Sequence, residues 1–279
     1  MKRYIIILFI CTLAACANSQ KPAKTPPHYN INSPVVFKMP EGLREISGIT
    51  ILPGTNLFLA EQDEEGKVFY FKLGDTKIAH TKFGAKGDYE DIALHNNRVF
   101  MLRSDGTLFS FPVSQLMAGA IKDVKTWAGM LPKGEYEGLY ADPYTASMYV
   151  LCKHCKDENT SKVGGGYIFS VKADGSLTPN GSFEIDVKEI GKMTGAKKID
   201  FHPSALAKNP VTGEWYIVSS VNQLLVVADK DWRVKDVYPL GRSVFNQPEG
   251  IAFDSTGNLY ISNEGGDGYG NILKFAFKK

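Results

Sequence analysis

From about residue 31 onward the chain alternates apolar and polar positions with a period of two, and the helical period is nearly absent. Short runs rich in β-branched and aromatic residues (VFYFKL, RVFMLRSDGTLFSF, SMYVLCK, GYIFSV, EWYIVSS, LLVVAD, NLYISN, NILKFAF) recur between Gly, Asp and Asn turns. Many short strands at turn-rich spacing predict an all-β sandwich, barrel or propeller. Residues 186–199 are the one stretch whose pattern predicts a short helix.

An internal repeat separates these architectures. Five segments share an acidic or polar residue, a small residue and then an apolar one: Glu45-Ile46-Ser47-Gly48-Ile49, Asp88-Tyr89-Glu90-Asp91-Ile92, Glu135-Tyr136-Glu137-Gly138-Leu139, His202-Pro203-Ser204-Ala205-Leu206 and Gln247-Pro248-Glu249-Gly250-Ile251. With Ser47, Glu90, Glu137, Ser204 and Glu249 taken as equivalent, the steps are 43, 47, 67 and 45 residues. A period in the forties is the size of a four-stranded propeller blade. Five repeats predict five blades, or six if the long step, which holds the helical insertion, hides a degenerate one. The early strand at Pro34-Val35-Val36-Phe37 is placed to join the C-terminal strands and close the ring, removing exposed sheet edges.

In a propeller the first strand of each blade lines the central channel, so one repeat position converges near the axis. Here that position is Ser47, Glu90, Glu137, Ser204 and Glu249. The small residues beside it (Gly48, Gly138, Ala205, Gly250, with Asp91 in the second repeat) let inner strands approach closely. The apolar residue of each segment is expected between blades. Several carboxylates in one narrow channel cannot all stay ionised without a cation or raised pKa values. Oxygen ligands without His or Cys favour Ca²⁺ over zinc. The candidate metal ligands are Glu90, Glu137 and Glu249, with Asp91, Asp88, Glu61, Asn263 and Glu264 behind them. The alternative is a water-filled channel whose carboxylates pair with Arg44 or Arg103.

The set REISGI, DYEDIAL, EYEGLY, HPSALA and QPEGIAFDSTGNLYISNEG resembles the SdiA-regulated (YjiK-like) family of envelope-associated propellers, over about residues 32–279. That resemblance implies a five-bladed propeller with a calcium site and no established reaction. Glu90, Glu137 and Glu249 match the family's acidic positions; Ser47 and Ser204 are neutral there.

The first twenty residues differ from the rest. Lys2 and Arg3 precede an apolar run from Tyr4 to Leu13, too short to span a bilayer of roughly 30 Å as a helix. Leu13-Ala14-Ala15-Cys16 is similar to a bacterial lipobox, which makes Cys16 the expected lipidation site and 1–16 the signal peptide. More than one acyl chain would anchor such a protein stably. Residues 17–30, rich in Pro, Lys and polar groups, are expected to be a flexible tether. The implied location is the cell envelope, as a membrane-anchored lipoprotein facing the periplasm or held at the outer membrane.

Composition then narrows the partners. The 32 basic and 30 acidic residues give a net charge of +2, and no dense Lys/Arg stripe is present, so nucleic acid is not an expected partner. The expected partners are the membrane, through the lipid, and an envelope protein or a small ligand. Cys152-Lys153-His154-Cys155 reads as a disulfide or a free pair in an oxidising compartment, with metal and redox roles as alternatives. Gly164-Gly165-Gly166 and Gly265-Gly266-Asp267-Gly268 open no helix and read as turns. His202 and Ser204 lack an acid partner for a triad. The sequence therefore predicts a non-catalytic, calcium-binding module. The alternatives are a Ca²⁺-dependent hydrolase of the lactonase or phosphoesterase type and a bare scaffold.

Overall fold

A computed structural model describes residues 24–155, 160 and 162–279. The signal segment and Cys16 lie outside the described residues. β1 (Val35–Lys38) is followed by four complete sheets in chain order. Blade 1 holds β2 (Ile46–Ile51), β3 (Phe58–Gln62), β4 (Lys67–Phe71) and β5 (Ala79–Lys82). Blade 2 holds β6 (Tyr89–His95), β7 (Arg98–Arg103), β8 (Leu108–Pro112) and β9 (Lys125–Trp127). Blade 3 holds β10 (Gly134–Asp142), β11 (Ser147–Cys155), β12 (Val163–Val171) and β13 (Leu177–Asp186), and α1 (Val187–Thr194) follows it. Blade 4 holds β14 (Ala205–Lys208), β15 (Trp215–Ser219), β16 (Leu224–Ala228) and β17 (Val234–Pro239). Blade 5 takes β18 (Pro248–Phe253), β19 (Leu259–Asn263) and β20 (Asn271–Phe275) from the C-terminus and β1 from the N-terminus.

The molecule is thus a five-bladed propeller closed by pairing β1 antiparallel to β20, Val35 opposite Lys274. The 67-residue step holds α1 rather than a sixth blade. Asp186 caps that helix by accepting the Lys188 amide at 2.9 Å, and Gly195 ends it in the left-handed conformation at φ 74°.

Five hydrophobic clusters fill the five seams between neighbouring sheets. The period of two sorts side chains between seams: Phe58 and Ala60 of β3 face blade 5, while Leu59 faces blade 2. Ile49, Ile92, Leu139, Leu206 and Ile251, the apolar repeat position, are all buried, one in each seam. The seams thus use the repeat to bury apolar surface on both faces of every sheet.

Two expectations need revising. Gly164, Gly165 and Gly166 are not a turn: they lie inside β12. A Cβ on Gly166 would stand 2.0 Å from the Val150 carbonyl oxygen, and one on Gly165 2.2 Å from that of Phe183. The run is glycine because neighbouring backbone leaves no room. The folded domain also starts before residue 31. Within the 17–30 segment, Tyr29 is buried; its hydroxyl donates to Gly257 O at 2.6 Å and accepts from Asn209 Nδ2 at 2.8 Å. Lys24 pairs with Asp236 at 2.5 Å, so this end of the segment is fastened along blades 4 and 5.

Candidate functional site

The inner strands β2, β6, β10, β14 and β18 neighbour one another around the ring. In four of the five inner strands, β2, β6, β10 and β18, the pairing register breaks at the repeat residue and turns it toward one mouth of the channel. In β6 the register jumps from Tyr89↔Arg103 to Asp91↔Leu102, leaving Glu90 as the extra residue. The same step isolates Glu137 in β10 and Glu249 in β18, and in β2 it spans Ser47 and Gly48. Ser204 lies just before β14 and gives its amide to Val218, the residue that pairs with Ala205. Such β-bulges re-aim one side chain while the strand continues.

The bulge has a sequence trace that strict alternation hides. Ile46 and Ile49, Tyr89 and Ile92, and Tyr136 and Leu139 are three apart, yet each pair shares a seam. An odd step on one face of a strand requires an extra residue between.

The mouth is crowded with carboxylates. Glu90 is pushed up to about 9 by burial and by the charges of Glu137, Asp88 and Glu249, which outweigh the pull of Lys153. Glu264 is raised to about 8 by burial and by Glu249, Asp63, Glu45 and Glu137. Burial lifts Glu137 to about 7, with Lys153 opposing and Glu249 and Glu135 adding. Asp63 rises to about 6 through burial and the charges of Glu45, Glu64 and Asp88. Glu249 is also raised by burial, although Ser204, Ser220 and Gln247 hydrogen-bond to it. Gln247 Nε2 donates to Glu264 at 2.5 Å, joining the two carboxylates of blade 5.

The candidate residues therefore divide. Glu90, Glu137, Glu249 and Glu264 share the mouth. Asp91 does not: its two oxygens accept the Ile92 amide at 2.8 Å and the Leu139 amide at 2.6 Å, bracing blade 2 against blade 3. The strands come so close here that a Cβ on Gly48 would sit 2.3 Å from Asp91 Oδ1. Glu61 is fully buried and accepts the Gly48 amide at 2.6 Å through one oxygen; its other oxygen has no hydrogen-bond partner among the described residues. Asp63 Oδ1 is likewise unpartnered. Arg44 stands by Glu41 and Arg103 by Asp105, so neither is paired with the axial carboxylates among the described residues.

The cation that does enter is Lys153, which the sequence pattern did not single out. Its Nζ lies 2.7 Å from Glu137 Oε1 and 3.3 Å from Glu135 Oε1. Cys152 and Cys155, on either side, form a disulfide with Cα atoms 6.0 Å apart.

The donor set suits a hard cation chemically, since it is all oxygen and includes two orphaned acceptors. The carboxylates are not gathered into a ready metal site, however: among the described residues no three Asp, Glu, His or Cys side chains are grouped so as to hold a metal ion. Among the described residues no helix is long and apolar enough to cross a membrane.

A family model described as SdiA-regulated matches residues 26–267. Among curated proteins none matches. Solved structures of similar fold include a luciferin-regenerating enzyme, at TM-score 0.57 and 11% identity over 88% of this chain and 95% of that one. The glutaminyl cyclase of Myxococcus xanthus aligns at TM-score 0.55 and 12% identity over 88% and 98%. The calcium-binding protein regucalcin of Agrobacterium tumefaciens aligns at 0.50 and 12% over 84% and 91%. At these identities the likeness is one of fold.

Proposed function

The chain belongs to the SdiA-regulated family, and we propose that it is a non-catalytic binding module of the cell envelope, lipid-anchored at Cys16, that takes up a cation at the acidic mouth of its channel. The observation that carries this reading is the imbalance of charge there. Glu90, Glu137, Glu249 and Glu264 come from three blades and are raised together, and among the described residues the ammonium that meets them is that of Lys153, in contact with Glu137. A site short of positive charge gains by admitting more of it. Calcium is the metal that an all-oxygen set favours, and a calcium-binding protein of the same fold supports that choice. Glu90, Glu137, Glu249 and Glu264 are the residues that would hold it. A small ligand or an envelope protein would meet the loops around the same mouth, where a rigid ring presents variable chain.

Thermal unfolding of the full chain in EDTA, then in Ca²⁺ or Mg²⁺, tests the cation. A site filled at a hundred times its Kd adds about 2.7 kcal/mol, or roughly 5–10 °C in midpoint for a domain of this size. The expected result is a Ca²⁺-selective rise that is lost in Glu249→Gln and Glu264→Gln. Equal midpoints in all conditions would remove the cation site. The anchor is tested separately: the intact mass of the membrane-extracted protein should carry acyl chains, and Cys16→Ser should release it from the membrane fraction.

A further inference from the structure

The oxygens of the mouth suit a hard cation, yet they do not assemble around an empty centre, and Lys153 explains why. In β11 the register passes from Glu135↔His154 to Tyr136↔Cys152, so Lys153 is the unpaired residue of a bulge on the second strand of blade 3. That bulge is closed into a small ring by the Cys152–Cys155 disulfide, whose two cysteines are both buried. A bulged residue between two cross-linked neighbours has few backbone conformations open to it. Its Nζ contacts buried Glu137 at 2.7 Å and the half-exposed Glu135 at 3.3 Å. The same charge acts on Glu90 of blade 2 and Glu249 of blade 5. One ammonium thus serves carboxylates of three blades.

A second, independent observation marks the mouth as built for positive charge. Glu61 is completely buried, with Oε2 unpaired among the described residues and the carboxylates of Glu90, Asp91 and Asp63 near it. No hydrogen-bond donor among the described residues reaches that oxygen.

We infer that Lys153, held in a disulfide-closed bulge, is a built-in counterion that competes with divalent cations for the acidic mouth and so sets its affinity for them. The inference rests on the cation reading above. Glu137 would hold a divalent ion only by giving up its 2.7 Å contact with the Lys153 ammonium, which the Cys152–Cys155 ring keeps in place. Lys153 is a specificity-determining residue, and the disulfide positions it.

Calcium titration by calorimetry of the full chain in detergent, for wild type, Lys153→Met and the double variant Cys152→Ser/Cys155→Ser, tests this. Lys153→Met should bind Ca²⁺ about tenfold more tightly or better, since a unit charge a few ångströms from the site is removed. The double variant keeps the ammonium but frees its backbone, so its affinity should fall between the two, and wild type treated with a thiol reductant should match it. Wild type and Lys153→Met with equal affinities would overturn the inference and leave the cation reading standing. No calcium binding by any variant would overturn both. If Lys153→Met does not fold, the double variant decides: an affinity equal to that of wild type overturns the inference.

Discussion

Two lysine–carboxylate pairs of nearly equal geometry sit at opposite ends of the channel wall. At the mouth, Lys153 meets Glu137 at 2.7 Å, with side chains 26% and 6% exposed. At the other end, Lys208 of β14 meets Asp142 of β10 at 3.0 Å, with side chains 27% and 2% exposed. The outcomes are opposite. Asp142 stays below the usual carboxylate range despite its burial, because the Tyr144 and Thr145 amides and Lys208 all donate to it. Glu137 is raised to about 7 because burial outweighs the pull of Lys153, and the charges of Glu249 and Glu135 add to the rise. The turn end of blade 5 repeats the first pattern. Against burial, Asp254 is held low by Asn258, Thr256 and Tyr260. One end of the ring spends its acids on its own backbone; the other leaves them for something else.

That contrast can be broken most forcefully at the turn end. Asp142→Ala removes a buried acceptor from two amides and leaves Lys208 without its partner. It should cost about 3 kcal/mol, read as a midpoint drop of roughly 6–12 °C. Glu90→Gln at the mouth should do the reverse, raising the midpoint by about 2–4 °C at pH 8, for a gain of about 1 kcal/mol. The sign follows from proton linkage. Glu137, Glu264 and Glu90, at about 7, 8 and 9 in the fold, hold protons that the unfolded chain releases near 4.5. The stability they contribute is full below that pH and is lost as pH rises toward 9. Asp142 and Asp254 act oppositely: their contribution is present above the ordinary 3.8 and is lost as pH falls through their lowered values. Melting curves of wild type and Glu90→Gln should therefore converge near pH 5 and separate steadily by pH 9. A constant offset across that range would show that the mouth carboxylates are not strained. The smallest effect should come from Lys208→Met, at about 0.5 kcal/mol, because the Tyr144 and Thr145 amides still satisfy Asp142.

The large-scale order was written in the chain. The acidic-small-apolar repeat gave the blade count, and its apolar member marked one residue in each seam. The strand at Val35 announced the closure. The finer errors share a cause, which is that alternation reports the face of a residue and not its register. Asp91 occupies the position that is Gly or Ala in the other repeats, and only the approach of β10 shows that its carboxylate is consumed by the Leu139 amide. Lys153 sits between two cysteines, and attention to the thiols conceals the charge between them. Gly164 to Gly166 look like a turn until Phe183 and the Val150 carbonyl are packed against them. Tyr29 stands in a run of proline and polar residues whose composition gives no sign of the Asn209 and Gly257 partners that hold it.

The seam between β1 and β20 has a consequence for the order in which the molecule comes into being. β1, ahead of blade 1 in the chain, pairs with β20, which follows every other described strand, and the Met39 amide adds a further bond to the Gly270 carbonyl at 2.8 Å. Four blades can assemble from contiguous chain, but the fifth cannot exist until β20 has been made. Until then the chain is an open arc with two unpaired strand edges, and contacts of such long sequence separation form slowly. Loss of Asn271–Phe275 would not trim a loop; it would leave the arc permanently unclosed, with both edges free to find another chain.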